Sequence, residues 1–251
     1  MSLEILTSDD LAPVKHGFFT RVGGASSGVF AGLNCGTGSS DQTEIVQINR
    51  GRVAEAMGVP EDHLVGMYQT HSTHVAALEA PPAETPRVDA IVTRTPGLAL
   101  SVLSADCQPV LFCDPVAGVI GAAHAGWRGT LDGVLEATLD AMAQLGAHLE
   151  EISAVIGPSI SQRAYEVGPE FLDAHLAEDP DAHRYFAQGT GDRLLFDLPG
   201  YGLHRLHAHG VGNATWTRHC TYSDPDRFFS YRRATHAKEA DYGRLIAAIR
   251  L

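Results

Sequence analysis

The sequence predicts an α+β fold in which an extensive, mostly antiparallel or mixed sheet system carries helices on its outside. Two observations lead to this class. Many short apolar runs are separated by turn signals, and a few longer segments repeat apolar residues at helical spacing. The turn residues Asp114-Pro115 and Ala117-Gly118 join two of the runs closely, which indicates an antiparallel hairpin rather than a crossover helix.

Helical periodicity appears in four segments. The expected helices are residues 44–57, 130–145, 169–177 and, with a less regular pattern, 199–209. Asp41 is a candidate N-cap for the first helix, and Gly58 can end it. Gly146 and Gly210 follow the second and fourth segments, as glycine often does at a helix end.

Ten strand-like runs lie around these helices. They are residues 64–70, 74–79, 89–93, 98–103, 110–113, 119–123, 152–156, 214–217, 228–232 and 245–249. The proline-rich stretch 80–86 separates two of them and reads as a surface loop too short to link domains. We therefore expect a single domain over residues 1–251.

The overall composition argues against several functional classes of protein. The formal net charge of −12, from 18 basic and 30 acidic residues, argues against a nucleic-acid binder. No apolar run approaches the roughly 18 residues of a membrane span, and the N-terminus lacks a signal-peptide pattern. The four cysteines, at 35, 107, 113 and 220, are widely spaced and read as reduced thiols. We expect a cytoplasmic protein that contacts neither nucleic acid nor membrane.

Three expected strand ends each carry a side chain able to bind metal: His71, Cys107 and His124. Two imidazoles and one thiolate suit zinc, and three protein ligands leave one position open, as in catalytic zinc sites. Their spacing forms no dense local motif. The neighbouring Asp106 and Arg128 strengthen the interpretation, because a purely structural core seldom collects such groups.

Two other interpretations use the same residues. Cys107 and His124 could be ordinary core residues, one a small buried hydrophobe and the other a hydrogen-bonded histidine. Alternatively, Cys107 could be a nucleophile with His71 or His124 as its base. Thiolate character is needed for both the metal site and the nucleophile.

A series of motifs, in order and nearly end to end, carries a family resemblance. They include HGFFTR at 16–21, GG at 23–24, LN at 33–34, NR at 49–50, QTH at 69–71, ADC at 105–107, HAGWRG at 124–129, IGPSI at 156–160, YEV at 165–167, FSYRR at 229–233 and GR at 243–244. Together they resemble the YfiH family, long called laccase-domain proteins and now described as purine nucleoside phosphorylases. Ala164 and residues 235–238 depart from the family pattern.

The resemblance implies a zinc ion held by His71, Cys107 and His124. It also implies phosphorolysis of adenosine, inosine and methylthioadenosine, with adenosine deamination as a further activity. The partners would be purine nucleosides and phosphate, and we expect a monomer or a weak oligomer. The implied fold is a layered α/β sandwich, related in outline to the cysteine-hydrolase domain of the cytotoxic necrotizing factors.

These two reactions assign roles to particular residues. Cys107, Asp106 and His124 form the expected catalytic group, with Asp106 as proton carrier or, equally, as a turn-forming carboxylate. The candidates for phosphate binding are Arg21, Arg50 and Arg128. Asn34 and Gln69 could bind sugar or base edges, while Phe18, Phe19 and Trp127 are candidates for stacking on the purine.

Laccase chemistry is poorly supported by the histidine pattern. A multicopper oxidase needs several His-x-His pairs and a His-Cys-His stretch. The chain has one such pair, at His207 and His209, and no His-Cys-His. Copper could still occupy the N/S site in vitro. The alternatives to a nucleoside enzyme are a cysteine-type hydrolase editing peptidoglycan precursors, polyphenol oxidase activity as in the older family label, and a non-catalytic metal scaffold.

Overall fold

A computed structural model describes residues 2–251. The helices are α1 Thr43–Met57, α2 Trp127–Asp132, α3 Val134–Gln144, α4 Pro169–Glu178, α5 Leu198–Ala208 and α6 Tyr231–Ala237. The strands are β1 Ile5–Leu6, β2 Lys15–Phe19, β3 Leu64–Val65, β4 Val75–Ala77, β5 Ala90–Thr93, β6 Ala99–Ser104, β7 Gln108–Asp114, β8 Val119–Ala125, β9 Ser153–Ile156, β10 Glu166–Val167, β11 Phe186–Gln188, β12 Leu194–Phe196, β13 Asn213–Trp216 and β14 Leu245–Arg250.

The strands form three sheets. A five-stranded sheet has the order β1-β2-β14-β6-β3, and a six-stranded sheet has the order β13-β9-β7-β8-β5-β4. Most neighbours in both sheets are antiparallel, but β3–β6, β4–β5 and β9–β13 are parallel pairs. A small antiparallel sheet, β10-β12-β11, completes the set. The mixed, largely antiparallel arrangement predicted from the sequence is confirmed.

The two large sheets pack face to face. Leu100 and Ile249 of the five-stranded sheet share one buried cluster with Leu111 and Ile120 of the six-stranded sheet. Helices α3 and α5 cover the outer face of the six-stranded sheet, and α1 covers the outer face of the other. The result is a four-layered α/β/β/α sandwich, the layered architecture that the resemblance implied.

Helix α1 matches its prediction to within one residue and ends at Gly58, which adopts a left-handed conformation with φ of 72°. The predicted cap was wrong. Gln42 is the N-cap, and the Asp41 carboxylate instead accepts hydrogen bonds from the side chain of Asn34 and the backbone of Gln42. The hydrogen bond from Asn34 therefore occupies the Asp41 carboxylate that was expected to cap the helix.

Two predicted elements differ from the structure. The expected helix 130–145 is two helices, because Gly133 takes φ of 103° between α2 and α3. The expected strand 228–232 is instead a loop, residues 228–230, followed by the first residues of α6. The Ser230 hydroxyl caps this helix by accepting a hydrogen bond from the Arg233 backbone. The apolar run there is short, and short runs do not distinguish strand from helix.

The other expected elements are present with shifted ends. The structure shortens the run 64–70 to the two-residue strand β3, which leaves residues 66–70 as an extended segment leading to His71. Five strands were missed: the edge strand β1, its neighbour β2, and β10, β11 and β12 of the small sheet. They are two to five residues long and carry little alternation. Among residues 2–251 no helix is both long and apolar enough to cross a membrane.

The contact between the two large sheets leads to a stability prediction. A Cβ on Gly157 would lie 2.2 Å from Cδ1 of Phe18, a fully buried ring of the opposite sheet. Gly157→Ala should therefore lower the free energy of unfolding by about 1–3 kcal/mol, as overpacking of a core does. Urea unfolding measures this change. Gly38→Ala is the control, because a Cβ there meets nothing within 4 Å, and equal midpoints for the two variants would contradict the prediction.

Candidate metal centre and active site

The three predicted ligands come together in the structure. The possible ligand atoms of His71, Cys107 and His124 all lie within 4.8 Å of one another. His71 follows the segment after β3, Cys107 ends the turn between β6 and β7, and His124 lies on β8. The antiparallel pairing of β7 with β8 brings the last two together, because Pro109 is opposite His124. Among residues 2–251, this is the one group of three or more His, Cys, Asp or Glu side chains close enough to share an ion.

A buried carboxylate, Asp89, organises this group from behind. Its Oδ1 lies 2.9 Å from Nδ1 of His124. Its Oδ2 accepts hydrogen bonds from the backbone N–H of Thr70 at 3.1 Å and of Ser72 at 2.6 Å, and from both of their hydroxyls. His71 lies between these two residues. One carboxylate therefore orients the His124 ring and fixes the loop that carries His71.

The surroundings of Asp89 and His124 determine which ring nitrogen of His124 is free to bind a metal ion. Burial alone would raise the pKa of Asp89, but the hydrogen bonds from His124 and Ser72 hold it well below its usual range. The ionised carboxylate keeps a proton on Nδ1 of His124. The other ring nitrogen, Nε2, then has a lone pair available for a metal ion held by His71, Cys107 and His124.

The Cys107 sulfur carries thiolate character. Burial would raise the pKa of this thiol, but the charge of His124 and hydrogen bonds from His124 and His71 lower it to about 6. In the metal-free protein, burial would lower the pKa of His124, but the Cys107 thiolate and Asp89 raise it to about 9. By contrast, burial raises the pKa of Cys35 and Cys113 to about 12. Burial would raise the pKa of Cys220, but hydrogen bonds from Ser161 and Ser223 lower it; this thiol lies outside the ligand group, where Cys107 is the available thiolate.

Two non-glycine residues at the centre adopt the sparsely populated positive-φ region. His71 has φ of 58° and Asp106 has φ of 89°. Such conformations cost free energy and persist where surrounding contacts enforce them. The hydrogen bonds to Asp89 enforce the first. For the second, the Asp106 carboxylate accepts hydrogen bonds from the Thr221 hydroxyl at 2.6 Å, the Ser230 hydroxyl at 2.9 Å and the Arg232 backbone at 2.7 Å.

Gly126 provides the space for the ligands. A Cβ at this position would lie 3.0 Å from Sγ of Cys107 and 3.2 Å from Cδ2 of His71. Its φ of −69° is open to any residue, so the requirement for glycine here is steric. The donor set of two imidazoles and a thiolate, the depressed thiol pKa and this glycine together fit a zinc ion with three protein ligands.

Two cavities meet at the ligand group. The larger, of about 720 Å³, is lined by Tyr68, Gln69, Tyr242 and Arg244, among others; we call it the polar cavity. The smaller, of about 290 Å³, is lined by the four rings of Trp127, Tyr165, Phe171 and Tyr231 together with Asp106, Ile160, Leu198 and Arg232; we call it the aromatic cavity. His71, Ala105, Cys107 and Tyr231 line both.

Two predicted substrate contacts have structural roles. Asn34 has no exposed surface, and its amide bonds Ser39, Asp41 and the backbone of Gly36 and Arg244. The prediction that Asn34 binds sugar or base was therefore wrong, because none of its polar atoms reaches a cavity. Gln69 does line the polar cavity, although its amide also bonds both backbone groups of Leu103.

The three arginines predicted to bind phosphate are dispersed. Arg21 donates hydrogen bonds to the carbonyls of Ala31 and Pro225 and lines neither cavity, so its contact with phosphate stays a prediction. Arg128 is exposed and stacks on Trp127, with its guanidinium 4.6 Å from the ring centre. Arg50 lines a third cavity, which shares Gln69 and three other residues with the polar cavity.

Of the three residues predicted to stack on the purine, one lines a cavity and two belong to the core. Phe18 and Phe19 are 1% and 2% exposed and belong to the core, so the suggestion that they stack on a purine was wrong. Trp127 lines the aromatic cavity.

Sequence reasoning missed three residues of the site: Asp89, Tyr231 and Arg244. Asp89 precedes a strand, as many turn residues do, and only the pairing of β5 with β8 brings it to His124. Tyr231 and Arg244 lie within quoted motifs near the C-terminus, but no local feature links those motifs to the ligands. Arg244 also bonds Asp241, at 3.0 Å.

The steric role of Gly126 can be tested directly. Gly126→Ala should weaken zinc affinity about ten- to a hundredfold, the loss typical when groups that orient ligands are disturbed. Competition with a chromogenic chelator measures it. Gly129→Ala is the matched control, since its Cβ would make only ordinary contacts of 3.4 Å or more. Equal zinc affinity in the two variants would show that the ligands do not need this space.

Comparisons with known proteins agree on one family. Residues 15–251 match the family model described as multi-copper polyphenol oxidoreductase laccase. A Deinococcus radiodurans protein named purine nucleoside phosphorylase is 39% identical over 238 residues, which cover 92% of this chain and 88% of the relative. Purine nucleoside phosphorylase YfiH of Escherichia coli is 40% identical over 214 residues, covering 85% and 86%.

Solved structures are similar along nearly their whole length. The crystal structure of a Neisseria meningitidis protein has a TM-score of 0.90 at 37% identity, covering 100% of this chain and 99% of that one. YlmD from Geobacillus stearothermophilus has a TM-score of 0.88 at 29% identity, covering 97% and 93%. The fold, the His-Cys-His group and these similarities lead to one conclusion: the chain belongs to the YfiH family of laccase-domain proteins.

Proposed function

We propose that this protein is a zinc-dependent purine nucleoside phosphorylase that acts on adenosine, inosine and methylthioadenosine and also deaminates adenosine. One observation carries the proposal. The His71–Cys107–His124 group lies at the junction of two cavities, one of which is large enough for a nucleoside. The relatives named purine nucleoside phosphorylase, at about 40% identity, support the same reaction class.

The zinc ion would be held by His71, Cys107 and His124. When bound, zinc supplies Lewis-acid chemistry, polarising the group that takes its open position. The protein contributes the orientation of the ligands. Asp89 keeps the proton on Nδ1 of His124, and Gly126 leaves room for the sulfur.

In phosphorolysis, a phosphate oxygen forms a bond to C1′ of the ribose while the C1′–N9 bond breaks. The purine leaves with the electron pair of that bond and takes up a proton, so the products are the free base and ribose 1-phosphate. The reaction needs a cation near the sugar. Arg244 is the arginine that lines the polar cavity, and Arg50 lines the adjoining one without a carboxylate partner within 4.0 Å among the described residues. We assign phosphate binding to these two residues, with Gln69, which lines both cavities, as a further contact.

Asp106 is the proposed proton carrier for deamination. It lines the aromatic cavity, and burial raises its pKa even though three hydrogen-bond donors oppose this shift. A raised pKa brings a carboxyl group closer to the range in which it exchanges protons at neutral pH. The same three hydrogen bonds would also suit a carboxylate that only positions the Cys107 turn, so the two roles need a direct test.

The proposed activity is tested by incubating the zinc-loaded protein with inosine or adenosine, with and without phosphate, and separating the products. Ribose 1-phosphate should form only with phosphate present. Cys107→Ala should abolish phosphorolysis, deamination and stoichiometric zinc binding while the circular dichroism spectrum stays unchanged. Cys220→Ala is the matched control, because this half-buried thiol lies outside the ligand group. If Cys107→Ala still cleaves inosine with phosphate, the proposed mechanism is wrong.

The role of Asp106 is tested by Asp106→Asn. This variant should keep zinc and phosphorolysis while adenosine deamination falls about 10²–10⁴-fold, the usual contribution of a general acid or base. Thr221→Val serves as comparison, since it removes one hydrogen bond to the carboxylate and leaves the carboxylate itself. If Thr221→Val loses as much deaminase activity as Asp106→Asn, Asp106 acts as a positioning residue.

A second candidate is a cysteine-type hydrolase that edits peptidoglycan precursors. One observation favours it: without metal, Cys107, His124 and Asp89 form a thiolate–imidazolium–carboxylate series, the arrangement used by cysteine nucleophiles. Zinc analysis of protein purified without added metal separates the candidates. Stoichiometric zinc supports the phosphorylase, whereas a metal-free enzyme that hydrolyses amide bonds and leaves nucleosides unchanged supports the hydrolase.

The laccase description of the family model does not extend to a multicopper site in the described chain. Residues 2–251 contain one group of three metal-capable side chains, and a trinuclear cluster with a blue-copper centre needs several. His209 bonds Asp140 at 2.9 Å on the surface, so the His207–His209 pair lies apart from the ligand group. Copper binding in vitro at the His-Cys-His group stays part of the proposal.

A further inference from the structure

A separate cavity lies at the β13 edge of the six-stranded sheet; we call it the edge cavity. Its volume of about 570 Å³ is within the range of small-molecule pockets. Its walls come from β13 and the residues after it, from the start of α5 and from the N-terminal segment near residues 6–10. It shares no lining residue with the polar or the aromatic cavity, and two strands separate β13 from β8, which carries His124.

The edge cavity is distinguished by buried polar atoms that lack hydrogen-bond partners. Among residues 2–251, eight buried side-chain polar atoms have no partner, and three of them belong to residues that line this cavity: Nε1 of Trp216, Oγ1 of Thr217 and Nδ1 of His219. None of the other five belongs to a residue that lines the polar or the aromatic cavity. Leaving a buried donor or acceptor unpaired costs free energy, so a cluster of such atoms at one cavity indicates a polar occupant.

These atoms require an occupant that both donates and accepts hydrogen bonds. The indole N–H of Trp216 can only donate, whereas the Thr217 hydroxyl can do either. Burial and the charge of Arg227 lower the pKa of His219, so its ring is neutral at neutral pH and carries one donor and one acceptor. Asp197 adds an acceptor to the wall, and only its Oδ1 is bonded among the described residues, to the Gly200 backbone N–H at 3.0 Å.

The charges on the walls favour a neutral occupant. Two carboxylates, Asp10 and Asp197, line the edge cavity together with one guanidinium, that of Arg218. A phosphate or another anion would be repelled by the two carboxylates, and a cation would be repelled by the guanidinium. A neutral molecule with several hydroxyl groups can form hydrogen bonds with all three side chains.

One wall of the edge cavity is apolar. The half-buried ring of Trp216 packs with Leu203 of α5 against the core of the outer helical layer, and both residues line the cavity. A sugar ring has C–H groups on its faces, which pack against an indole ring, and hydroxyls around its edge, which donate and accept hydrogen bonds. This division matches the apolar and polar walls.

We infer that the edge cavity is a binding site for a neutral sugar, a monosaccharide or disaccharide, stacked on Trp216 and hydrogen-bonded by Thr217, His219 and Asp197. This site goes beyond the proposed nucleoside reaction and does not depend on it, because none of its residues belongs to the metal-ligand group or to the two cavities that meet there.

The test is titration with sugars, read out by tryptophan fluorescence. Of the two tryptophans, Trp216 lines the edge cavity and Trp127 lines the aromatic cavity. In a Trp127→Phe background, the remaining fluorescence therefore reports on the edge cavity. The probes are D-glucose, D-galactose, D-mannose and D-ribose, each titrated separately, and inorganic phosphate. At least one sugar should change the fluorescence saturably, and phosphate should not.

Thr217→Val makes the result specific. Valine keeps the shape of threonine and removes the hydroxyl, so sugar affinity should fall about tenfold, as expected for one lost hydrogen bond. Because this hydroxyl has no partner in the free protein, the same variant should keep or raise the midpoint of urea unfolding. Thr138→Val is the matched control, since its hydroxyl bonds the Val134 carbonyl at 2.6 Å and lies outside the cavity, and it should leave sugar affinity unchanged.

Asp197→Asn is the second test and serves if Thr217→Val fails to fold. Asparagine caps a helix about as well as aspartate, so α5 should keep its start while sugar affinity falls about tenfold. No saturable change with any of the four sugars, saturation by phosphate, or displacement of the bound sugar by inosine overturns the proposal. Equal sugar affinity in Thr217→Val, Asp197→Asn and Thr138→Val overturns it as well. None of these outcomes bears on nucleoside cleavage, so this proposal and the proposed function fail separately.

Discussion

The candidate site depends on one buried carboxylate. Asp89 has no exposed surface, and its two oxygens accept hydrogen bonds from His124 and from the segment on either side of His71. A buried charge without such partners costs several kcal/mol, roughly 3–5 when one partner is removed, so the carboxylate and its donors hold each other in place. Two of the three ligands are thereby positioned by a residue that binds no metal itself.

A second buried carboxylate, Asp106, directly precedes the third ligand, Cys107. Asp106, with φ of 89°, is stabilised by Thr221, Ser230 and the backbone of Arg232, all from the C-terminal part of the chain. The free-energy cost of the turn that presents Cys107 is thus offset by contacts more than a hundred residues away. The centre combines a fixed geometry with a depressed thiol pKa, and both properties serve metal binding as well as a cysteine nucleophile.

The walls on the two sides of the centre come from different segments of the chain. Trp127 of α2, Phe171 of α4 and Tyr231 of α6 line the aromatic cavity, whereas segments near residues 36–38 and 242–244 line the polar cavity. Tyr231 lines both cavities and lies at the boundary between them.

The sequence by itself determined the fold class, most of the large elements and the three candidate ligands, because apolar periodicity and the chemistry of His and Cys are local properties. Strand pairing and loop packing decided the rest. Asp89 reaches His124 through the pairing of β5 with β8. Asn34 and Arg21 have side chains that could bind a substrate, but these side chains form hydrogen bonds with backbone and loop partners instead. Local sequence states what a side chain can bind, but only the tertiary structure decides which partners surround it, since those partners come from distant segments.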